Sequence, residues 1–270
     1  MRIGLPKVTC EHGRHQLSAQ ISIDDERLEC PESLWFATKG KDPMFKSDQA
    51  DAFLLGMITV AMKLNEPLWV EAPVSARLAF GLEFYQRIMH SWWPGVFREI
   101  EVHYEALDER RDETRAAGVA CTFSGGLDSF YSATEMLPGN LNNDTFNITH
   151  GLMINGFDQF VDLDHEGIAP RMFDTYQPAL AAWNIDLLML DTNLQQFRYA
   201  ALSRKEAVDS FSSALCANAH ALSGVLGRVG LSSHAGYSYI ELQPGGTHSA
   251  LDHHLGSDQL EIFLAGAGIP

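Results

Sequence analysis

The residues best suited to chemistry are Ser124-Gly125-Gly126-Leu127-Asp128-Ser129, where the apolar run Val119–Phe123 stops and an amphipathic run begins. Two glycines let the backbone turn tightly and approach a ligand with no Cβ in the way. Their N–H groups, with those of the next helical turn, can converge on one anion, and the helix dipole adds partial positive charge there. Ser124 and Ser129 add hydroxyls. Asp128 is a poor partner for phosphate and suits Mg²⁺ or a helix cap. The chemistry on offer is phosphate binding; the bland alternative is a Gly-Gly turn with Asp128 as the N-cap. No lysine follows, so this is not G-x-x-x-x-G-K-[ST]; nor is it G-x-G-x-x-G.

A loop of this kind needs a strand before it and a helix after it. "GVACTF" reads as the strand and residues 128–137 as the helix, stopped by Pro138. The alternation continues. "FNITHGLMI", "IDLLMLD" and "VGLSSH" read as strands. Between them, Phe173, Tyr176, Leu180 and Trp183 suit a helix kinked or begun at Pro178, and Phe211, Leu215, Leu222 and Leu226 form one stripe of a long helix. Short apolar strands separated by helices predict an α/β fold with a parallel, doubly wound sheet covered on both faces.

Such sheets bind ligands outside the carboxyl ends of their strands. The four exits are Ser124–Ser129; Asn155, Gly156, Phe157 and Asp158; Asp191, Thr192 and Asn193; and Ser232, Ser233 and His234. A later loop adds Gly245, Gly246, Thr247 and His248, with Asp252, His253 and His254 beyond. The four exits are rich in small polar residues and are expected to share one rim. The His248–His254 group admits a surface role, acid–base or substrate contact, or zinc, although no second ligand pair is evident. His220 is expected to be buried and hydrogen-bonded. Gln195 and Gln196 are candidate substrate contacts or exposed filler, and Trp92 and Trp93 are expected in the core or an interface.

The first part of the chain reads as a smaller mixed α/β domain, residues 1–112, preceding 113–270. "QLSAQISID" and "ERLECPESLWFAT" alternate like strands. Phe53, Met57, Val60 and Leu64 follow a helical period, as do Leu78, Leu82, Tyr85, Met89 and Trp92 after a candidate N-cap at Ser75. "EPLWVEAP" and "FREIEVHYE" look like strands. The charge-dense "EALDERRDETRAAG" is the candidate boundary. At the other end "LEIFLAGAGIP" stops just after a strand, and the expectation is that the native chain extends past Pro270.

A formal net charge of −16 repels nucleic-acid backbones, so a small-molecule substrate is expected rather than RNA. No stretch approaches 18 uninterrupted apolar residues and no signal-peptide pattern opens the chain, so membrane insertion is not expected and the location is read as cytoplasmic. Cys10, Cys30, Cys121 and Cys216 form no C-x-x-C pair and read as free thiols.

Ser-Gly-Gly-x-Asp-Ser between strand and helix resembles the PP-loop of the ATP pyrophosphatases, and "SGGLDS" matches it throughout. The resemblance covers about residues 117–235. It implies an adenine nucleotide alpha-hydrolase-like sheet, ATP and Mg²⁺ as cofactors, and pyrophosphate held by residues 124–129. By the same resemblance Asp128 and Ser129 are catalytic, with Asp128 on Mg²⁺. The implied activity is an AMP-forming synthetase or ligase that adenylates a carboxylate, amide or carbonyl. "MINGFD" is similar to the second-strand exit of the asparagine-synthetase and deazaguanine-synthase branch, where backbone atoms hold adenine. "GGTHSALDHHLGSD" resembles a loop of uncharacterised members of that branch, and no substrate comes with it. Asn155, Gly156, Asp158, Asn193, Ser232, Ser233, His234, Thr247, His248 and Asp252 are the candidate adenine and substrate contacts. The N-terminal glutaminase cysteine of asparagine synthetase has no counterpart, because Arg2 follows Met1. Ammonia would then come from solution or a partner, or a substrate amine would attack. The other readings are a nucleotide-sensing or scaffold PP-loop domain and a tRNA-thiolating enzyme. A homo-oligomer is a further partner to expect.

Overall fold

The computed structural model describes residues 1–39, 44–109, 115–157, 167–233, 236–237 and 244–268. The expected parallel α/β unit is built as follows. Strand β9 (Gly118–Thr122) leads into helix α3 (Leu127–Glu135), β10 (His150–Asn155) into α4 (Ile168–Ala181), and β11 (Asp186–Thr192) into α5 (Leu194–Ala201), α6 (Arg204–Asp209) and α7 (Phe211–Ala221). Strands β12 (Leu226–Ser232) and β13 (Glu261–Ala265) complete it. The strands run parallel in the order β13-β12-β9-β10-β11. Chain order reverses beside β9: one connection leads away to β10, and a later one returns on the opposite side to β12. The crevice between the ends of β9 and β12 is therefore a topological switch point.

The alternation of β9 accounts for its double covering. Val119, Cys121 and Phe123 join a core under α3 and α4, whereas Ala120 joins the larger core on the other face. The expected long helix is shorter than its apolar stripe suggested. α7 ends at Ala221, and Leu226 is already the first residue of β12. Four apolar residues at helical spacing cannot by themselves separate a helix from a helix followed by a buried strand. Pro178 lies inside α4 rather than at its start.

The N-terminal part contributes β1 (Arg2–Ile3), β2 (Lys7–Glu11), β3 (Arg14–Ser22), β4 (Ser33–Lys39), α1 (Asp51–Leu64), β5 (Leu68–Val70), β6 (Val74–Ser75), α2 (Ala76–Trp92), β7 (Val102–Tyr104) and β8 (Leu107–Asp108). Its main strands join the parallel unit: β4 pairs antiparallel with β11, and the 11-stranded mixed sheet continues β4-β3-β1-β5-β7. Buried residues of α1 and α7 belong to one core. On either side of the expected boundary near residue 112, which lies outside the described residues, the two halves thus share a sheet and a core. "FREIEVHYE" forms a strand only at Val102–Tyr104. Ser75 does precede α2, but its hydroxyl donates to Asp258 Oδ2 (3.1 Å) instead of capping the helix. Among the described residues, no helix is long and apolar enough to cross a membrane.

Candidate functional site

At the end of β9, Gly125 adopts φ +79°, and a Cβ there would stand 2.2 Å from the Tyr176 ring. Only glycine satisfies both constraints. Gly126 is the N-cap of α3, and no side chain caps the helix. Asp128 is thus the second residue of the helix and exposed, not the cap that the bland reading required. Within the loop, Ser124 Oγ accepts from Gly126 N–H (3.3 Å), and Ser129 Oγ donates to the Gly126 carbonyl (2.8 Å). Ser129 is therefore buried and stiffens the turn, while the Ser124 hydroxyl proton stays available. Phe130 N–H is the first to bond back, to Gly126 C=O (3.2 Å). The amides of Leu127, Asp128 and Ser129 sit at the open end of the helix, where the dipole is positive.

The loop rims a cavity of about 410 Å³, within the roughly 300–1,000 Å³ typical of small-molecule sites. Of the predicted residues it brings together Ser124, Asp128, Ser129, Asn155, Gly156 and Ser232. Ser232 is sewn to β9: its N–H donates to Thr122 Oγ1 (2.9 Å) and its hydroxyl to the Thr122 carbonyl (2.7 Å). Three predicted exits thus share one rim. The apolar walls come from Met153, Phe157, Ile168, Met172, Phe211 and Leu215, most of which sequence reasoning missed as lining. Their signal was four-residue spacing, in Ile168 and Met172 at the start of a helix that follows an exit and in Phe211 and Leu215 of the later stripe. No lysine or arginine lines the cavity among the described residues.

A backbone feature also faces the cavity. β10 and β9 stay paired to Leu152 and Thr122, with a last bond from Phe123 N–H to Leu152 C=O (2.7 Å). β10 continues to Asn155, paired there with β11. In a parallel ladder the N–H and C=O of one residue point to the same neighbour, and residues alternate. Ile154 therefore turns its N–H and C=O toward the gap that β9 has left, and Ile154 lines the cavity.

The third exit is used otherwise. Asn193 Oδ1 accepts from Trp35 N–H and its Nδ2 donates to the Ser33 carbonyl, both at 2.9 Å, so it clasps β4 and is buried. Gln195 is also buried; its Nε2 donates to the Phe157 carbonyl and its Oε1 accepts from Arg198. Ser233 is buried, with its N–H on the Ala265 carbonyl (2.8 Å). Asp158 and His234 lie outside the described residues.

Thr247, His248 and Asp252 are buried and do not line the cavity. Asp252 Oδ2 accepts from His248 N–H (2.9 Å), and His248 Nδ1 accepts from Ala250 N–H (3.0 Å). Burial pushes the Asp252 carboxyl well above the ordinary range and lowers the His248 imidazole. Trp92 packs edge-on against the His248 ring. His253 and His254 lie at the surface side of this turn, with His254 stacked on Phe84. His220 is buried as expected, with Nε2 2.9 Å from the Leu255 carbonyl, and burial lowers its pKa to about 4. Cys121 and Cys216 are buried free thiols pushed upward by burial.

Among the described residues no group of three or more His, Cys, Asp or Glu side chains is arranged to hold a metal ion. Among the described residues, Asp128 alone offers a carboxylate at the cavity rim. That donor set fits Mg²⁺, which is commonly held by one or two carboxylates together with substrate phosphates, and does not fit zinc. No family model, curated protein or solved structure matches the chain.

Proposed function

We propose that this chain is an ATP-dependent, AMP-forming synthetase or ligase of the PP-loop type, its parallel half an adenine nucleotide alpha-hydrolase-like sheet working in the cytoplasm. The observation that carries the reading is the Ser124–Ser129 loop: open helix amides at a switch point, beside a cavity of nucleotide-binding size. The pyrophosphate end of ATP lies on the amides of residues 127–129 and the Ser124 hydroxyl. Adenine presents a donor and an acceptor side by side on its pairing edge, which complements the N–H and C=O of Ile154. Bound Mg²⁺ neutralises phosphate charge, and Asp128 is the residue to hold it. The walls of Met153, Phe157, Met172 and Phe211 exclude water from the reacting end.

With ATP so held, an acceptor oxygen attacks the α-phosphorus and the bond to the β-phosphate oxygen breaks. Pyrophosphate leaves with the electron pair toward the α3 N-terminus, where the oriented amides stabilise the developing charge. The acceptor is a small carboxylate, amide or carbonyl compound, and ammonia or an amine is the nucleophile that releases AMP. Incubation with Mg²⁺, ATP and a panel of such acceptors should release AMP and pyrophosphate in equal amounts; ADP with orthophosphate would overturn the reading.

One observation favours a second reading. Among the described residues no cationic side chain lines the cavity, so a triphosphate would rest on amides, the Ser124 hydroxyl and metal, which suits a domain that senses nucleotide. Calorimetry would then give tight Mg²⁺·ATP binding with no turnover across the panel.

A further inference from the structure

Asn155 lines the cavity at the end of β10. Its Nδ2 donates to Asp191 Oδ1 at 3.0 Å. Asp191 stands opposite in register on β11, and its other oxygen accepts from Arg14 Nη1 at 2.9 Å. Arg14 lies over the Trp35 ring, 5.4 Å from its centroid. An ion-paired carboxylate only accepts. It can be faced by the NH₂ end of a neighbouring amide and not by the oxygen end. The amide of Asn155 is therefore oriented by charge, and Oδ1 is the end left for the cavity.

We propose that Arg14 and Asp191 are positioning residues that fix the Asn155 amide, so that Asn155 presents a hydrogen-bond acceptor to the ligand and selects a nucleoside carrying a donor at that point. The ligand's identity rests on the nucleotide reading above; the amide's orientation does not. Two donors of ATP qualify, the exocyclic amine and a sugar hydroxyl. A ligand with a carbonyl oxygen there would meet another oxygen, and a site that hydrogen-bonds one group rejects analogues lacking it strongly. Arg14 and Trp35 come from β3 and β4, so the N-terminal half would set selectivity in a cavity that none of its described residues lines.

Asp191→Asn tests the idea while preserving shape. Arg14 will draw the oxygen of the new amide, turning its NH₂ onto Asn155. Asn155 then rotates and shows NH₂ to the cavity. By calorimetry, Mg²⁺·ATP affinity should fall about tenfold, the scale of one hydrogen bond exchanged for a mismatch. Discrimination should collapse against ITP if the amine is the donor, or against 2′- or 3′-deoxy-ATP if a hydroxyl is. Adding Arg14→Met releases the residue-191 amide to turn its oxygen back, so the double variant should recover to within about threefold of native. A purely structural role predicts a double variant worse than either single one, and that result overturns the proposal.

The orientation is also read without ligand. The Asn155 side-chain NH₂ resonances, assigned by their loss in Asn155→Asp, should shift in Asp191→Asn and return in the double variant. If the native chain binds no ATP but these resonances behave so, the nucleotide reading falls and the orientation stands. Resonances unmoved by Asp191→Asn overturn the proposal whether or not ATP binds.

Discussion

Two glycine-paired loops of this chain, SGGLDS at 124–129 and GGTHSALD at 245–252, are close in composition: each combines Gly-Gly with hydroxyl and acidic residues. In the first, Asp128 is exposed, Leu127 is 85% exposed, and the helix amides open onto a cavity. In the second, Asp252 and His248 are buried and spend hydrogen bonds on the loop's own backbone. Even the glycines differ in purpose. Gly125 is required for a positive φ beside Tyr176, whereas Gly246 gives the Phe211 ring room, since a Cβ there would stand 1.9 Å from it. The difference teaches that small polar residues identify a place where polar groups must be satisfied. Whether a ligand or the loop itself satisfies them depends on which element packs above.

That contrast can be broken by substitution. The largest effect is expected from Gly125→Ala. A left-handed backbone costs an alanine about 1–2 kcal/mol, and overlap with Tyr176 adds about 1–3 kcal/mol. Urea denaturation should show a loss of about 2–5 kcal/mol, with nucleotide binding abolished; a native-like variant would remove the special status of this turn. Next is Asp128→Ala, expected to lower AMP release by about 100-fold or more, on the scale of losing one transition-state electrostatic contact. Its thermal midpoint should be unchanged, because the residue is exposed.

The closed region should respond to pH rather than to ligand. His220 is neutral when folded, with its pKa lowered from 6.5 to about 4. The unfolded chain takes up the proton first, so stability is present above about pH 6.5 and is lost as pH falls toward 4. The slope is up to about 1.4 kcal/mol per pH unit. His220→Gln should flatten that limb of the stability profile, and an unchanged slope would reassign the acid sensitivity. The smallest effect is expected from Gly126→Ala, where a Cβ meets only Ser124 Oγ at 3.4 Å. A loss of about 0.5–1 kcal/mol in urea would match alanine replacing a glycine N-cap.

The strand–loop–helix at residues 118–135 was legible because three local signals coincide there: a short apolar run, a Gly-Gly break and an amphipathic restart. Helices α1 and α2 were legible from their periodicity. Asn193 shows where legibility ended. In the sequence it is indistinguishable from Asn155, an asparagine just past a parallel strand. One lines the cavity and the other clasps β4, a strand about 160 residues earlier. Pairing across such a separation leaves no mark in either segment. The open edge at Ile154 is illegible for a different reason: it belongs to the backbone, and the side chain says nothing of it. Arg14 gave no signal beyond being a charged residue at the start of a strand.

The union of β4 with β11 has a practical consequence. A single cut between residues 109 and 115 would separate two chains that still share a sheet and interdigitate α1 with α7. Neither piece alone could cover its apolar face or its strand edge. The two pieces should co-purify after nicking and, expressed from separate messages, should reassemble. This makes the molecule a natural scaffold for split-protein complementation.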